Sequence, residues 1–204
     1  MDQVAKYITR GCREVGVELP EACLHGVGAY LQLLQKWNAR INLVGTKDPQ
    51  QIVDQHLVDC LAVLPHIPEE GGSLVDVGSG AGLPGALIAL VRRDVEVIAL
   101  EPVRKKHSFM ATVRRELGLD NFKPRPLRME EHLQKSGERL HDVAVSRAAF
   151  ALSEWFERAH SLVRPGGVIL GMEGRERQVL PEGAGRHSYR LGDRTRAIIS
   201  LVAS

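Results

Sequence analysis

Four glycines in eight positions, Gly78-Ser79-Gly80-Ala81-Gly82-Leu83-Pro84-Gly85, restrict this chain more than any other stretch. Leu74-Val75-Asp76-Val77 precedes them and Ala86-Leu87-Ile88-Ala89-Leu90-Val91 follows, which predicts a short buried strand, a glycine turn and a helix. Glycine belongs where the backbone takes positive φ or lies against a ligand with no Cβ between. A helix starting at such a turn leaves unpaired N–H groups and a partial positive charge facing it, which suits a carboxylate or a phosphate.

Spacing narrows the ligand. The dinucleotide pattern is Gly-x-Gly-x-x-Gly, and here Gly78 and Gly80 fit while Leu83 takes the third place. The pattern is instead Asp-x-Gly-x-Gly-x-Gly from Asp76, a form more typical of proteins that bind S-adenosylmethionine. A tight strand–helix turn with no ligand has the same local pattern. Val95-Glu96-Val97-Ile98-Ala99-Leu100 then reads as a second strand ending in Glu101. An acid about 20 residues past a glycine turn, at the next strand's end, is where an α/β nucleotide site puts its ribose-binding carboxylate. The alternative is that Glu101 caps the helix starting near Val103.

The chain's 204 residues suit one domain with a small helical appendage. No apolar run is long enough to span a membrane, and Met1-Asp2-Gln3-Val4-Ala5-Lys6 has no signal-peptide pattern. Cys12, Cys23 and Cys60 are odd in number and widely spaced, and read as free thiols in a reducing, cytoplasmic setting. Net charge is only +2, but Arg92-Arg93, Arg104-Lys105-Lys106, Arg114-Arg115, Lys123, Arg125 and Arg128 gather in one region. Such a cluster is either a phosphate footprint or a set of solvated helix faces.

Residues 1–68 read as a helical cap, with a helix break at Gly16 and Pro20. Leu24, Val27, Leu31, Leu34 and Trp37 recur at helical steps, and Asp48-Pro49 starts a further helix reaching about Leu64. That helix brings His56, Asp59 and Cys60 to one face; no further ligands lie at metal-binding spacing, so a local His–Asp pair is the plain reading. Residues 69–204 alternate strand and helix. A helix runs from Arg104 to Leu117, and an edge strand from Phe122 to Leu127 is marked by Pro124 and Pro126. A strand at 142–147, a helix from Leu152 to Val163, a turn at Pro165-Gly166-Gly167 and a strand at 168–172 follow. A hairpin of Arg186–Leu191 and Arg196–Val202 closes the chain. This order predicts an α/β, Rossmann-like seven-stranded sheet of the methyltransferase plan under an N-terminal helical cap. Four strand ends meet at one crevice: Gly78 to Leu83, Glu101, Met129-Glu130 and Ser146-Arg147.

With these stretches in place, the chain resembles the bacterial small-subunit (16S) ribosomal RNA guanine-N7 methyltransferases, also called glucose-inhibited division protein B. The likeness rests on Trp37-Asn38 with Asn42-Leu43, Asp48-Pro49 through His56-Leu57-Val58-Asp59, Asp76 to Gly85, Arg104-Lys105 with Phe109, and Ser146-Arg147-Ala148. It implies S-adenosylmethionine as cofactor, with contacts at Gly78, Leu83, Met129, Glu130 and Arg147 beside Asp76 and Gly80 of the glycine turn and Glu101 at the next strand's end. It also lifts His56 and Asp59 above a local pair, to a motif on the catalytic side that positions substrate with Arg147. The implied partner is 16S ribosomal RNA or the small ribosomal subunit, met by a monomer without a metal. Three departures stand out. Cys60 replaces the usual serine, Glu173-Gly174 carries an acid where a lysine is usual, and the tail lacks the usual lysines. The last two weaken the implied grip on RNA.

Guanine N7 has an exposed lone pair, so methyl transfer from a sulfonium requires alignment rather than a general base. Arg147 is then expected to hold O6 or a phosphate, because a donor aimed at N7 would occupy the nucleophile. Two rivals remain: a methyltransferase acting on a small molecule or protein, and a silent RNA- or ribosome-binding protein that keeps the fold. A nicotinamide dehydrogenase is set aside by Leu83.

Overall fold

The computed structural model describes residues 3–136, 140–174 and 178–204. Met1 and Asp2, at the head of the expected cap, lie outside them. Helix α1 (Gln3–Glu14) is followed by α2 (Glu21–Asn38), which buries Leu24, Val27, Tyr30, Leu31 and Leu34 along one stripe. Asn38 closes α2: its Nδ2 donates to the Thr46 carbonyl, and its Oδ1 accepts from the N–H groups of Leu43 and Val44. Asp48 caps the next helix as its sequence predicts, accepting from Gln50 N at 3.0 Å ahead of Pro49. That helix is not regular. Helical ends α3 (Pro49–Ile52) and α4 (Val58–Leu61) flank a π-helical turn at Val53–Leu57, which contains His56. Such turns insert extra backbone into a helix and re-aim its side chains, often at functional sites.

The sheet has seven strands: β1 (Gly72–Val77), β2 (Val95–Leu100), β3 (Phe122–Arg125), β4 (His141–Arg147), β5 (Val163–Glu173), β6 (Gly185–Leu191) and β7 (Arg194–Val202). Their order is β3-β2-β1-β4-β5-β7-β6. The first five run parallel, and β7 pairs antiparallel with both β5 and β6. Pro-containing β3 lies at the edge, where a missing N–H costs no ladder bond. Helices α5 (Gly85–Val91), α6 (Arg104–Glu116), α7 (Met129–Ser136) and α8 (Leu152–Ala159) connect the parallel strands.

Two boundaries differ most from the sequence reading. The last helix stops at Ala159 and tightens into a 3-10 turn at His160–Leu162. The Pro165-Gly166-Gly167 turn lies inside β5 as a bulge, where pairing jumps from Val163 opposite His141 to Val168 opposite Val143. Extra residues on one strand are accommodated by leaving them unpaired.

Strand alternation divides the core. Leu74, Val143, Val145 and Leu170 point into the cluster holding Tyr30, Leu87 and Phe109, so the cap and this face share one core. Val75, Val77, Ala144 and Ile169 face the cluster built on Trp155 and Phe156. Among the described residues no helix is long and apolar enough to cross a membrane.

Candidate active site

The order β2-β1-β4 reverses the direction of winding at β1, and the crevice beyond the carboxyl ends of these strands is where such sheets bind ligands. Gly78, Gly80 and Gly82 there have φ of +72°, +59° and +79°, the left-handed region that L side chains avoid. Asp76 lies beneath the turn with no exposed surface, and its Oδ2 accepts from Gly85 N at 2.9 Å at the start of α5. Its Oδ1 is buried and, among the described residues, has no hydrogen-bond partner, and burial pushes its carboxyl up to about 6. Asp76 thus fastens the turn from behind.

Glu101 does two jobs at once. Its Oε2 accepts from Gly80 N at 3.0 Å and its Oε1 from Val103 N at 2.9 Å, with Lys106 Nζ 3.8 Å away. It therefore holds the tip of the turn and the entrance to α6 together. Each oxygen keeps a further lone pair for a ligand hydroxyl. Tyr30 of the cap donates to the Ala81 carbonyl at 2.7 Å and fixes the same turn from the other side.

Two clefts open above these strand ends. The first, about 280 Å³, is lined by Val77, Gly78, Leu100, Pro102, Met129 and Glu130 among others. Its walls are mostly apolar, and Glu130 at its lip is paired with Arg158. Gly78 is required here for space as well as conformation, since a Cβ would come within 2.5 Å of Ala149 Cβ. Gly78, Met129 and Glu130 of the expected cofactor set line this cleft, whereas Asp76, Gly80, Leu83 and Glu101 are not among its lining residues and Arg147 lines the second cleft. Leu83 belongs to the core.

The second cleft, about 350 Å³, holds His56, Asp59, Ser146, Arg147, Glu173 and Arg196. The Arg147 guanidinium Nη1 lies 3.6 Å from Asp59 Oδ2 and 3.3 Å from His56 Nδ1, so the three expected positioning residues meet. An arginine can only donate, so His56 Nδ1 accepts and the ring proton resides on Nε2. Burial, then Arg147 and Arg196, push His56 down to about 4, and it is neutral at physiological pH. Asp59 Oδ1 accepts from the Tyr189 hydroxyl at 2.9 Å, and Ser146 Oγ donates to the Val77 carbonyl at 3.0 Å. Cys60, expected on the same face, is buried, and burial pushes its thiol up to about 12. Phe150 lines both clefts and is the side chain they share. Ala148, beside Arg147, holds φ of +58° without being glycine, a strained position of the kind found at ligand sites.

Sequence reasoning missed Tyr30, Phe150, Tyr189 and Arg196. Tyr30 sits in a helical stripe and Tyr189 and Arg196 in a closing hairpin, where they look like ordinary packing or surface residues. The acid at Glu173 is also less disruptive than its sequence suggests. Arg186 Nε and Nη2 donate to it at 3.0 and 2.9 Å, and Gln178 N at 2.9 Å, so its charge is matched locally.

Known proteins share the sequence pattern and the fold. Residues 24–182 match the family model GidB, described as rRNA small subunit methyltransferase G. A Methylobacillus flagellatus protein named ribosomal RNA small subunit methyltransferase G is 41% identical over 165 residues, covering 81% of this chain and 78% of its own. The protein of that name from Alkalilimnicola ehrlichii is 39% identical over 181 residues, covering 89% and 78%. Among solved structures, TrmN from Thermus thermophilus superposes with a TM-score of 0.56 at 16% identity, covering 83% of this chain and 52% of that one. A precorrin-6Y C5,15-methyltransferase from Geobacter metallireducens gives 0.55 at 12%, covering 80% and 92%. These two likenesses show the fold. The sequence matches show the family: this chain belongs to the GidB family, rRNA small subunit methyltransferase G.

Proposed function

We propose that the protein transfers a methyl group from S-adenosylmethionine to N7 of a guanine in 16S ribosomal RNA, acting as a monomer in the cytoplasm. The meeting of Arg147, Asp59 and His56 beside the glycine turn carries this reading. The residues present suit the cofactor. A turn with three left-handed glycines leaves backbone open to a ligand, Glu101 offers lone pairs to a ribose, and Val77, Leu100 and Met129 offer an apolar wall to a purine. When bound, S-adenosylmethionine supplies an electrophilic methyl carbon on a sulfonium.

The chain's own residues then position the nucleophile. N7 attacks through a lone pair that carries no proton at neutral pH, so no side chain must remove one. A neutral His56 fits that demand, since its pKa of about 4 leaves nothing to exchange at pH 7. Its Nε2–H and the Arg147 guanidinium are donors suited to O6 or a phosphate, which leaves N7 free. Asp59, braced by Tyr189, keeps Arg147 in place. The target base must leave its stack to reach a cleft of this depth.

Incubation with methyl-labelled S-adenosylmethionine and small ribosomal subunits or free 16S RNA lacking the modification tests the reading. Nuclease digestion and mass spectrometry are expected to find one 7-methylguanosine per RNA. Label on another base, or in no RNA at all, overturns it.

A further inference from the structure

Between Arg104 and Arg128 the chain carries eight Lys and Arg side chains against two Asp and Glu, a net +6, whereas all 204 residues sum to +2. The remainder is therefore net −4, so the chain's excess of positive charge comes from this segment. It folds into α6, the edge strand β3 and the loop to α7, so its charges share one flank. Among the described residues only Lys106 and Arg115 of the eight make ion pairs, with Glu101 and Glu116. Arg104, Lys105, Arg114, Arg125 and Arg128 are exposed. Concentrated, unneutralised cations of this kind attract a polyanion and release its counterions.

The flank also has shape. A shallow groove of about 580 Å³ runs between α6 and β3, lined by His107, Ala111, Arg114, Arg115 and Pro124, with Asp120 as its one acid. It is closed to a protein strand. The Asn121 and Arg125 carbonyls accept from β2, so by alternation Phe122 and Pro124 point outward. Phe122 N already donates to the Leu119 carbonyl and proline has no N–H, which leaves no outward strand donor for β-augmentation. Finally, the flank reaches the site. Helix α6 starts at Arg104, three residues past Glu101 at the crevice, and runs on for 13 residues, roughly 20 Å. Arg128 and Pro102 line the first cleft itself.

We propose that the α6–β3 flank is the track on which the RNA sugar–phosphate backbone docks as it leads the substrate strand to the cleft. This rests on the ribosomal RNA reading above. The track holds RNA through backbone charge, independently of base sequence.

The test is the double variant Arg114→Ala/Arg115→Ala, whose exposed side chains line neither cleft. The control, Arg10→Ala/Arg13→Ala on α1, loses the same charge at another surface. Binding of 16S RNA is measured directly across a salt series, beside methylation kinetics and titration with S-adenosylhomocysteine. The track variant is expected to bind RNA about tenfold more weakly near 0.15 M salt, with the log–log salt slope shallower by about 1.5. The value of kcat and the S-adenosylhomocysteine affinity stay unchanged, and Arg114→Lys/Arg115→Lys restores most of the RNA binding. Wild-type affinity and slope in the track variant, or an equal loss in the control, overturn the proposal. If the wild type binds RNA but never methylates it, the enzymatic reading fails while the binding series still decides the track.

Discussion

At the scale of single residues, the second cleft is governed by what surrounds His56. An exposed imidazole changes charge near pH 6.5, but burial and the two guanidiniums of Arg147 and Arg196 hold this one down to about 4. Its proton arrives only well into the acid range. The kcat/KM for methyl transfer is therefore expected to stay flat from about pH 6 to 8, with any acid limb below pH 5. A limb centred near 6.5 in a pH–rate profile, removed by His56→Gln, would show that the ring titrates in an open, solvated site. The Arg147–His56–Asp59 grouping was legible only in part. Its members could be picked out as chemistry-bearing residues, but the Tyr189 hydroxyl that braces Asp59 comes from 130 positions away.

At the scale of the element, the glycine turn is the most demanding piece of the fold. Gly78 combines left-handed φ with contact at Ala149, so Gly78→Ala meets two penalties. The conformation alone costs about 1–2 kcal/mol, and a Cβ 2.5 Å from another carbon must displace the loop after β4. The variant is expected to fold with reduced stability and to lose S-adenosylhomocysteine affinity by at least a hundredfold in calorimetric titration. Undiminished affinity would show that the turn does not border the cofactor. Strand–turn–helix order was readable here because φ preference and apolar runs are local properties. The π-helical turn at Val53–Leu57 was not, because the amphipathic pattern of the surrounding helix continues across it.

At the scale of the whole molecule, one buried group and one half-buried group make opposing demands on pH. Asp76 is raised to about 6 by burial, so the unfolded chain ionises it first, and its contribution, full below pH 4, is lost as pH rises through 6. The loss is about 3 kcal/mol. His56 is lowered to about 4, so the unfolded chain takes up its proton first, and stability is lost as pH falls from 6.5 towards 4. Its term is smaller because the ring is partly solvated. Denaturant titrations of the cofactor-free protein are expected to show these slopes partly offsetting between pH 4 and 6.5. Asp76→Asn should leave stability falling towards acid, and His56→Gln should leave it falling towards neutral pH. Parallel profiles for both variants would mean that neither carboxyl nor ring is held as the fold implies.

The alternation of strand and helix, the glycine turn, the Asp48 cap and the edge position of β3 followed from the sequence because each depends on neighbours within a few residues. Periodicity records which face is buried, and a proline or a glycine records what the backbone may do at its own position. Convergence is different. His56 meets Arg147 across 91 positions, and Tyr30 reaches Ala81 across 51. Those meetings depend on strand order, on register and on how the cap sits over the sheet, none of which leaves a repeating mark along the chain. The sequence determined the parts and the chemistry they could carry; packing of the cap and closing hairpin around β1 and β4 decided which of them share a cleft.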